Sequence, residues 1–240
     1  MSPRTHDRAA DALRPVTIER KVSKNAYGSA LIRCGDTHVL CTATIEDRVP
    51  VWRKGSGQAW VTAEYAMLPA ATSERTRRER NGAKGRTLEI ERLIGRSLRT
   101  VVDLGGLGGE VTVTVDCDVL QADGGTRTAS ITGAWVALHD ALATWKEAGR
   151  IQALPLTGQV AAVSIGLVDG EVLLDLDYEE DSHAEVDMNV VCDDKGGFIE
   201  LQGTGEQLSF SRHQLNGFLN LAEAGIAELQ RIQKAVLAGD

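Results

Sequence analysis

Residues 116–134 read DCDVLQADGGTRTASITGA, and the order of residue types within them sets the architecture. The run EVTVTVDCDVL, residues 110–120, is rich in β-branched side chains and reads as a strand. The segment ASITGAWVALHDALATWKEAG, residues 129–149, reads as a helix ended by Gly149. Between them stand Gly124 and Gly125, then Thr126, Arg127, Thr128 and Ser130. A glycine pair lets backbone come close to a ligand, and a helix N-terminus offers unpaired N–H groups and partial positive charge. Arg127 adds a guanidinium fork and the three hydroxyls add donors, so the stretch suits a phosphate. An ordinary turn followed by a Ser or Thr N-cap reads equally well on spacing alone. A purine-nucleotide P-loop is excluded, because no Gly-Lys-Ser/Thr follows the glycines.

Upstream, VTIERKV, GSALIRCG and THVLCTATIE predict short strands in a meander, with a Gly35–Asp36 turn, and SGQAWVTAEYAML continues it until Pro69. Residues 73–84 are almost devoid of apolar side chains and predict an exposed loop or a polar helix. In RTLEIERLIGRSLRTVVDL the apolar residues recur at helical spacing, and the glycine run at 105–109 stops the helix. Residues 73–100 hold nine basic residues against four acidic ones. Arg75, Arg77, Arg78 and Arg80 crowd one loop, and Arg92, Arg96 and Arg99 fall on one helical face. Such a patch follows a polyphosphate backbone, or else forms a solvated face with Glu–Arg pairs. The formal net charge of −8 does not decide between them, because steering depends on local potential.

Downstream, QVAAVSIGLV, EVLLDLDY, AEVDMNVVCD and GFIELQGT predict four strands, and RHQLNGFLNLAEAGI and IAELQRIQKAVLA predict two closing helices. Asp175, Asp177, Glu179, Glu180, Asp181, Glu185 and Asp187 lie within thirteen residues. Carboxylates this close repel unless a cation or basic surface neutralises them. Asp181 and Asp187, facing one another across a strand-turn-strand, would hold Mg²⁺ through oxygen ligands, or share a proton as a general acid, or form a solvated acidic turn. His183 is left out of the chemistry.

The 240 residues suffice for a large core, and the order of elements predicts an α+β fold in two lobes, about residues 14–150 and 155–240. No apolar run is long enough to span a membrane and the first residues lack a signal-peptide core, so a cytoplasmic protein is expected. Cys34, Cys41, Cys117 and Cys192 lack CxxC spacing and read as reduced, buried thiols.

Together LRPVTIER (13–20), GDTHVLCTATIE (35–46), WVTAEYAMLP (60–69), GRTLEIERLIGRSLR (85–99), the stretch at 116–134, EDSHAEVDMNVV (180–191) and IELQGTGE (199–206) resemble the RNase PH family of phosphorolytic 3′ exoribonucleases. The resemblance implies the β-α-β-α fold of polynucleotide phosphorylase and the exosome core, of the ribosomal protein S5 domain 2-like type, in a six-subunit ring built as a trimer of dimers. It implies a reversible reaction in which inorganic phosphate attacks the last phosphodiester of a tRNA precursor or other RNA 3′ end and releases a nucleoside diphosphate. It also implies a phosphate site at Arg86, Gly125, Thr126 and Arg127, with Thr128 and Ser130 close by. Asp181 and Asp187 become the Mg²⁺ or Mn²⁺ ligands, with Asp181 as a second choice of acid. Arg75, Arg77, Arg78 and Arg80 become RNA contacts, to which the helical Arg92, Arg96 and Arg99 are added from their spacing. Two departures stand out: the loop between Arg80 and Arg86 is short, and Ala70 occupies a position where the family often has arginine. An RNA-binding ring subunit without catalysis is the rival reading, against which the joint presence of Arg86, Arg127, Asp181 and Asp187 argues. A small-molecule kinase of the same ancestry lacks its nucleotide loop.

Overall fold

The computed structural model describes residues 4, 7–79 and 82–239; Arg80 lies outside them. Alternating side chains in Val16–Arg20 (β1), Gly28–Cys34 (β2), Thr37–Glu46 (β3), Trp60–Met67 (β4) and Thr112–Gln121 (β5) build a five-stranded sheet in the order β1-β2-β3-β5-β4. The two-residue turn at Gly35–Asp36 joins β2 to β3, with Gly35 at φ 54°. β4 and β5 run parallel, which demands a crossover, and helix α1 (Gly85–Thr100) supplies it. A second, antiparallel sheet follows from Val160–Val168 (β6), Glu171–Leu174 (β7), Val186–Asp193 (β8) and Phe198–Gly205 (β9), in the order β7-β6-β8-β9.

Helix α2 (Thr126–Glu147) packs against β2, β3 and β5 on one side and β6 on the other. It is therefore buried nearly all round and shows no apolar stripe, as expected of a helix between two sheets. Small residues permit the close approach: a Cβ on Gly133 would lie 2.7 Å from Ile32 Cγ2 and 2.9 Å from Cys41 Sγ. The final helix α4 (Arg212–Ala238) lays Phe218, Ala222, Ile226 and Leu229 on the outer face of the second sheet. The layers run sheet, α1 with α2, sheet, α4, which is the α+β, β-α-β-α arrangement that the sequence resemblance implies.

Three expectations change in detail, and one pair of alternatives is decided. The C-terminal residues form one helix rather than two, because Gly225 serves close packing: its Cβ would lie 2.8 Å from Leu174 Cδ1. Residues 73–79 and 82–84 are loop, since no apolar face anchors a helix there. α1 ends at Thr100, ahead of the glycine run, as Val102 turns away to bridge Leu156. The acidic stretch holds a short helix, Tyr178–His183 (α3), opened by a capping box in which Asp177 accepts from Glu180 N–H at 2.9 Å. Asp181 and Asp187 thus lie on a helix and a strand, and not across a strand-turn-strand.

One contact ties the two sheets at the functional end. Arg14, just before β1, clamps Asp175, just after β7: Nη2–Oδ1 is 2.7 Å and Nε–Oδ2 is 3.1 Å, and the Arg14 N–H meets Oδ2 at 2.8 Å. Arg14 is 2% exposed and Asp175 5%. Burial works against the guanidinium charge, but attraction and hydrogen bonding to Asp175 win and hold its pKa above the usual value. Asp175 sits at φ 56°, a left-handed conformation that Asp and Asn tolerate best. Asp175→Asn keeps that tolerance and removes only the charge. It should lower stability in urea unfolding by about 3–5 kcal/mol, the cost of stranding a buried cation, and adding Arg14→Met should recover part of the loss.

Candidate active site

The strand β5 delivers the chain to Gly124 and Gly125, at φ 71° and 62°, and α2 starts at Thr126. Only glycine fits at 124: a Cβ would lie 2.6 Å from both Leu176 O and Asp177 C, backbone atoms that cannot yield. Gly125 is the N-cap and has no side chain to accept from the first-turn N–H groups of α2, so those groups are open to a ligand. The turn is braced from behind. Arg14 donates to Asp123 O, the Thr37 hydroxyl donates to Gly124 O at 2.6 Å, and the Thr37 oxygen accepts from Asp123 N–H at 2.9 Å.

In front of the turn opens a cleft of about 610 Å³ between the sheets. Its lining includes Arg86 from the first turn of α1, Gly124 to Arg127, Asp181 and Ser182 from α3, Asp187 and Asn189 from β8, and Glu206 beyond β9. Arg86 is exposed. Arg127 is steadied by Glu89 Oε1 at 3.4 Å and Gln202 Oε1 at 3.2 Å. Thr126 shares a 2.8 Å hydrogen bond with the hydroxyl of Tyr65.

The structure does not bring every expected group to this cleft. Thr128 and Ser130 are buried and absent from its lining; their hydroxyls donate backward to Gly125 O at 2.9 Å and Thr126 O at 2.7 Å. The helical arginines do not form one free face either. Arg92 is exposed, but Arg96 pairs with Glu200 at 2.6 Å, and Arg99 donates to Val61 O at 2.7 Å while stacking 4.2 Å from the Trp60 ring centre. Burial lowers the pKa of Arg99, which the neighbouring positive charge of Arg96 reinforces. Arg75, Arg77 and Arg78 are exposed on the loop before α1. The four cysteines are free thiols and buried.

The acidic run is divided between two jobs. Asp175, Asp177 and Glu180 are met by arginines of the N-terminal segment: Arg4–Glu180 is 2.6 Å, Arg8–Asp177 3.7 Å and Arg14–Asp175 2.7 Å. Asp181 and Asp187 have no such ion pair among the described residues and face the cleft. Burial and the charge of Asp181 push Asp187 from its ordinary 3.8 to about 6, against the pull of Arg127 and Arg86. Partial desolvation raises Asp181 too, again opposed by Arg127 and Arg86. Asp187 Oδ1 is buried without a hydrogen-bond partner. No cluster of three or more His, Cys, Asp or Glu side chains able to hold a metal occurs among the described residues. An orphaned carboxylate oxygen beside a repelling second carboxylate nonetheless fits Mg²⁺ or Mn²⁺, because Mg²⁺ takes one or two carboxylates and keeps several waters.

Sequence reasoning missed Arg14, Thr37, Tyr65 and Asn189. Asn189 was findable, since it follows Asp187 by two on a strand and shares its face. Arg14 and Thr37 were not, because their partners lie far along the chain.

A cleft with a helix N-terminus and two arginines facing two unpaired carboxylates defines an enzyme of phosphate-group chemistry. Residues 12–143 match domain 1 and residues 158–225 domain 2 of the model for the 3′ exoribonuclease family. A ribonuclease PH of Corynebacterium kroppenstedtii is 58% identical over 98% of this chain and 93% of its own. One of Methylorubrum populi is 58% identical over 98% of this chain and all of its own. Among solved structures, a chain of the Archaeoglobus fulgidus exosome with RNA bound to the active site superposes with a TM-score of 0.81 at 22% identity, covering 96% of this chain and 92% of that one. The chain belongs to the 3′ exoribonuclease family.

The raised Asp187 pKa has a sign that can be checked. The folded state prefers the protonated acid, so the penalty for the carboxylate grows as pH rises from 3.8 and is complete above about 6. At pH 7.5, without divalent cations or phosphate, Asp187→Asn should therefore stabilise the protein by about 1–3 kcal/mol while abolishing turnover. At pH 4 the gain in unfolding free energy should largely vanish.

Proposed function

We propose that the cleft seats inorganic phosphate between Arg86, the Gly125–Thr126 entrance to α2 and Arg127, and aims it at the last phosphodiester of an RNA 3′ end. The enzyme is a phosphorolytic 3′–5′ exoribonuclease. The observation that carries the site assignment is the meeting, in one cleft, of Arg86, Gly125, Thr126 and Arg127 with Asp181 and Asp187.

A phosphate oxygen bonds to the scissile phosphorus, and the bond from that phosphorus to the 3′ oxygen of the preceding nucleotide breaks. The terminal nucleotide leaves as a diphosphate, and the 3′ oxygen takes up a proton. Two anionic groups must be held at reacting distance, so the chief work is positioning and charge neutralisation. Arg127 and Arg86 bear the phosphate charge, and the Glu89 and Gln202 contacts keep Arg127 aimed. Asp181 and Asp187 would hold Mg²⁺ or Mn²⁺, which when bound supplies positive charge for the departing oxygen. As the alternative to holding a cation, Asp181, at the exposed rim, would protonate that oxygen itself.

Arg75, Arg77 and Arg78, joined by Arg80 on the sequence resemblance, follow the RNA backbone further from the cut, and the exposed Arg92 extends the patch. The natural substrates are tRNA precursors with 3′ extensions, and the active form is a homohexamer, a trimer of dimers, in the cytoplasm. The sequence resemblance supports these assignments. No helix among the described residues is long and apolar enough to cross a membrane.

Purified protein should shorten RNA only when phosphate is supplied, with diphosphates as products; monophosphates formed without phosphate would refute the reaction. Arg127→Ala should raise the KM for phosphate by roughly 10- to 100-fold, the weight of one charge-assisted contact, with little change in RNA binding. Equal loss of both would refute the role given to Arg127. Light scattering should return six times the 25.8 kDa of one chain.

A further inference from the structure

The groups assigned so far account for the anionic part of a nucleotide, but the cleft is larger than a phosphate. Its volume of about 610 Å³ falls among pockets that enclose a drug-sized ligand, roughly 300–1,000 Å³. One aromatic side chain among the described residues lines it, that of Tyr178. Tyr178 is 66% exposed, and among the described residues its side chain has no hydrogen-bond, ring or ion-pair partner. Met67 is the largest other apolar side chain in the lining.

Tyr178 is firmly mounted although its ring is open. It is the first residue of α3, directly after the capping-box Asp177, and its N–H is held by Asp123 Oδ1 at 3.2 Å. Asp123 also receives Arg14 and precedes the glycine pair, and the Leu176–Asp177 backbone lies against Gly124. The ring is thus fixed to the same support as the proposed phosphate seat. Tyr178 and Asp181 are three apart on α3 and share a face, their Cβ atoms about 5–6 Å apart. That is close to the reach from a nucleotide's phosphate to its base.

We propose that Tyr178, in a cleft that Met67 also lines, forms a stacking subsite for one of the two bases that flank the scissile phosphodiester. The subsite rests on the reading of the cleft as the phosphorolytic site. Stacking suits this task, because every base has a π-face and an exonuclease must accept whichever base stands at the end. A single ring also reconciles the low aromatic content with a nucleic-acid substrate: 4% aromatic residues cannot pave a platform, but one base needs one ring.

The test is a binding cycle with RNA oligonucleotides that are intact, or abasic at the terminal or the penultimate position, read by fluorescence anisotropy without phosphate. Tyr178→Ala should weaken intact RNA by roughly 5- to 100-fold, the range for one stacked base. Tyr178→Trp should retain binding, and the KM for phosphate should be unchanged in both, which also certifies the fold. An abasic nucleotide at one of the two positions should weaken the parent protein by a similar factor and leave Tyr178→Ala no weaker. Unchanged binding by Tyr178→Ala, or losses that multiply at both positions, would overturn the subsite. Failure of the parent protein to release diphosphates from intact RNA would instead sink the phosphorolytic reading, which the binding cycle does not test.

Discussion

The buried clamp between Arg14 and Asp175 is the constraint from which the functional end of the molecule follows. It joins residues on either side of the sheet boundary, with the cation and the anion almost wholly removed from water. A pair of this kind returns little net stability, because desolvation offsets most of the attraction. Its value lies in position. The same guanidinium reaches Asp123 O, so a change in the spacing of the sheets would move the glycine turn, and with it the entrance to α2.

Charge is then partitioned by place rather than by sequence. Seven acidic residues in thirteen would repel strongly as a free segment. The N-terminal arginines cover three of them from one side, which allows α3 to form and to carry Asp181 into the cleft. The charge of Asp181 adds to burial in raising the pKa of Asp187, while burial raises that of Asp181. Two close carboxylates opposite two arginines make a site that gains from a cation on one side and an anion on the other.

The layers were legible because they rest on local patterns: period two for the strands, period 3.6 for α1, and a glycine pair at the β5–α2 junction. The glycine turn, Arg127 and the two carboxylates were legible for the same reason. What failed depended on distant partners. The C-terminal residues read as two helices because Leu174, which fills the space beside Gly225, is far away in the chain. Arg99 read as a phosphate contact because its spacing matched Arg92, whereas Trp60 and Val61 hold it. Thr128 and Ser130 read as anion donors because composition does not reveal which hydroxyls turn back onto their own helix.

Much of the cleft is unfavourable to the empty protein: an orphaned Asp187 oxygen, a repelling carboxylate pair, uncapped N–H groups at the start of α2 and an aromatic ring left in water. On the proposed reading, each is a group that a bound cation, phosphate or base would relieve. The close-packed α2 between the sheets and the Arg14 clamp hold these groups in place against the relaxation that would otherwise satisfy them locally. Binding energy is therefore available for placing two anions at reacting distance, since little of it is needed to order the site. The braces are buried while the binding groups are open, so rigidity comes from residues outside the proposed binding surface.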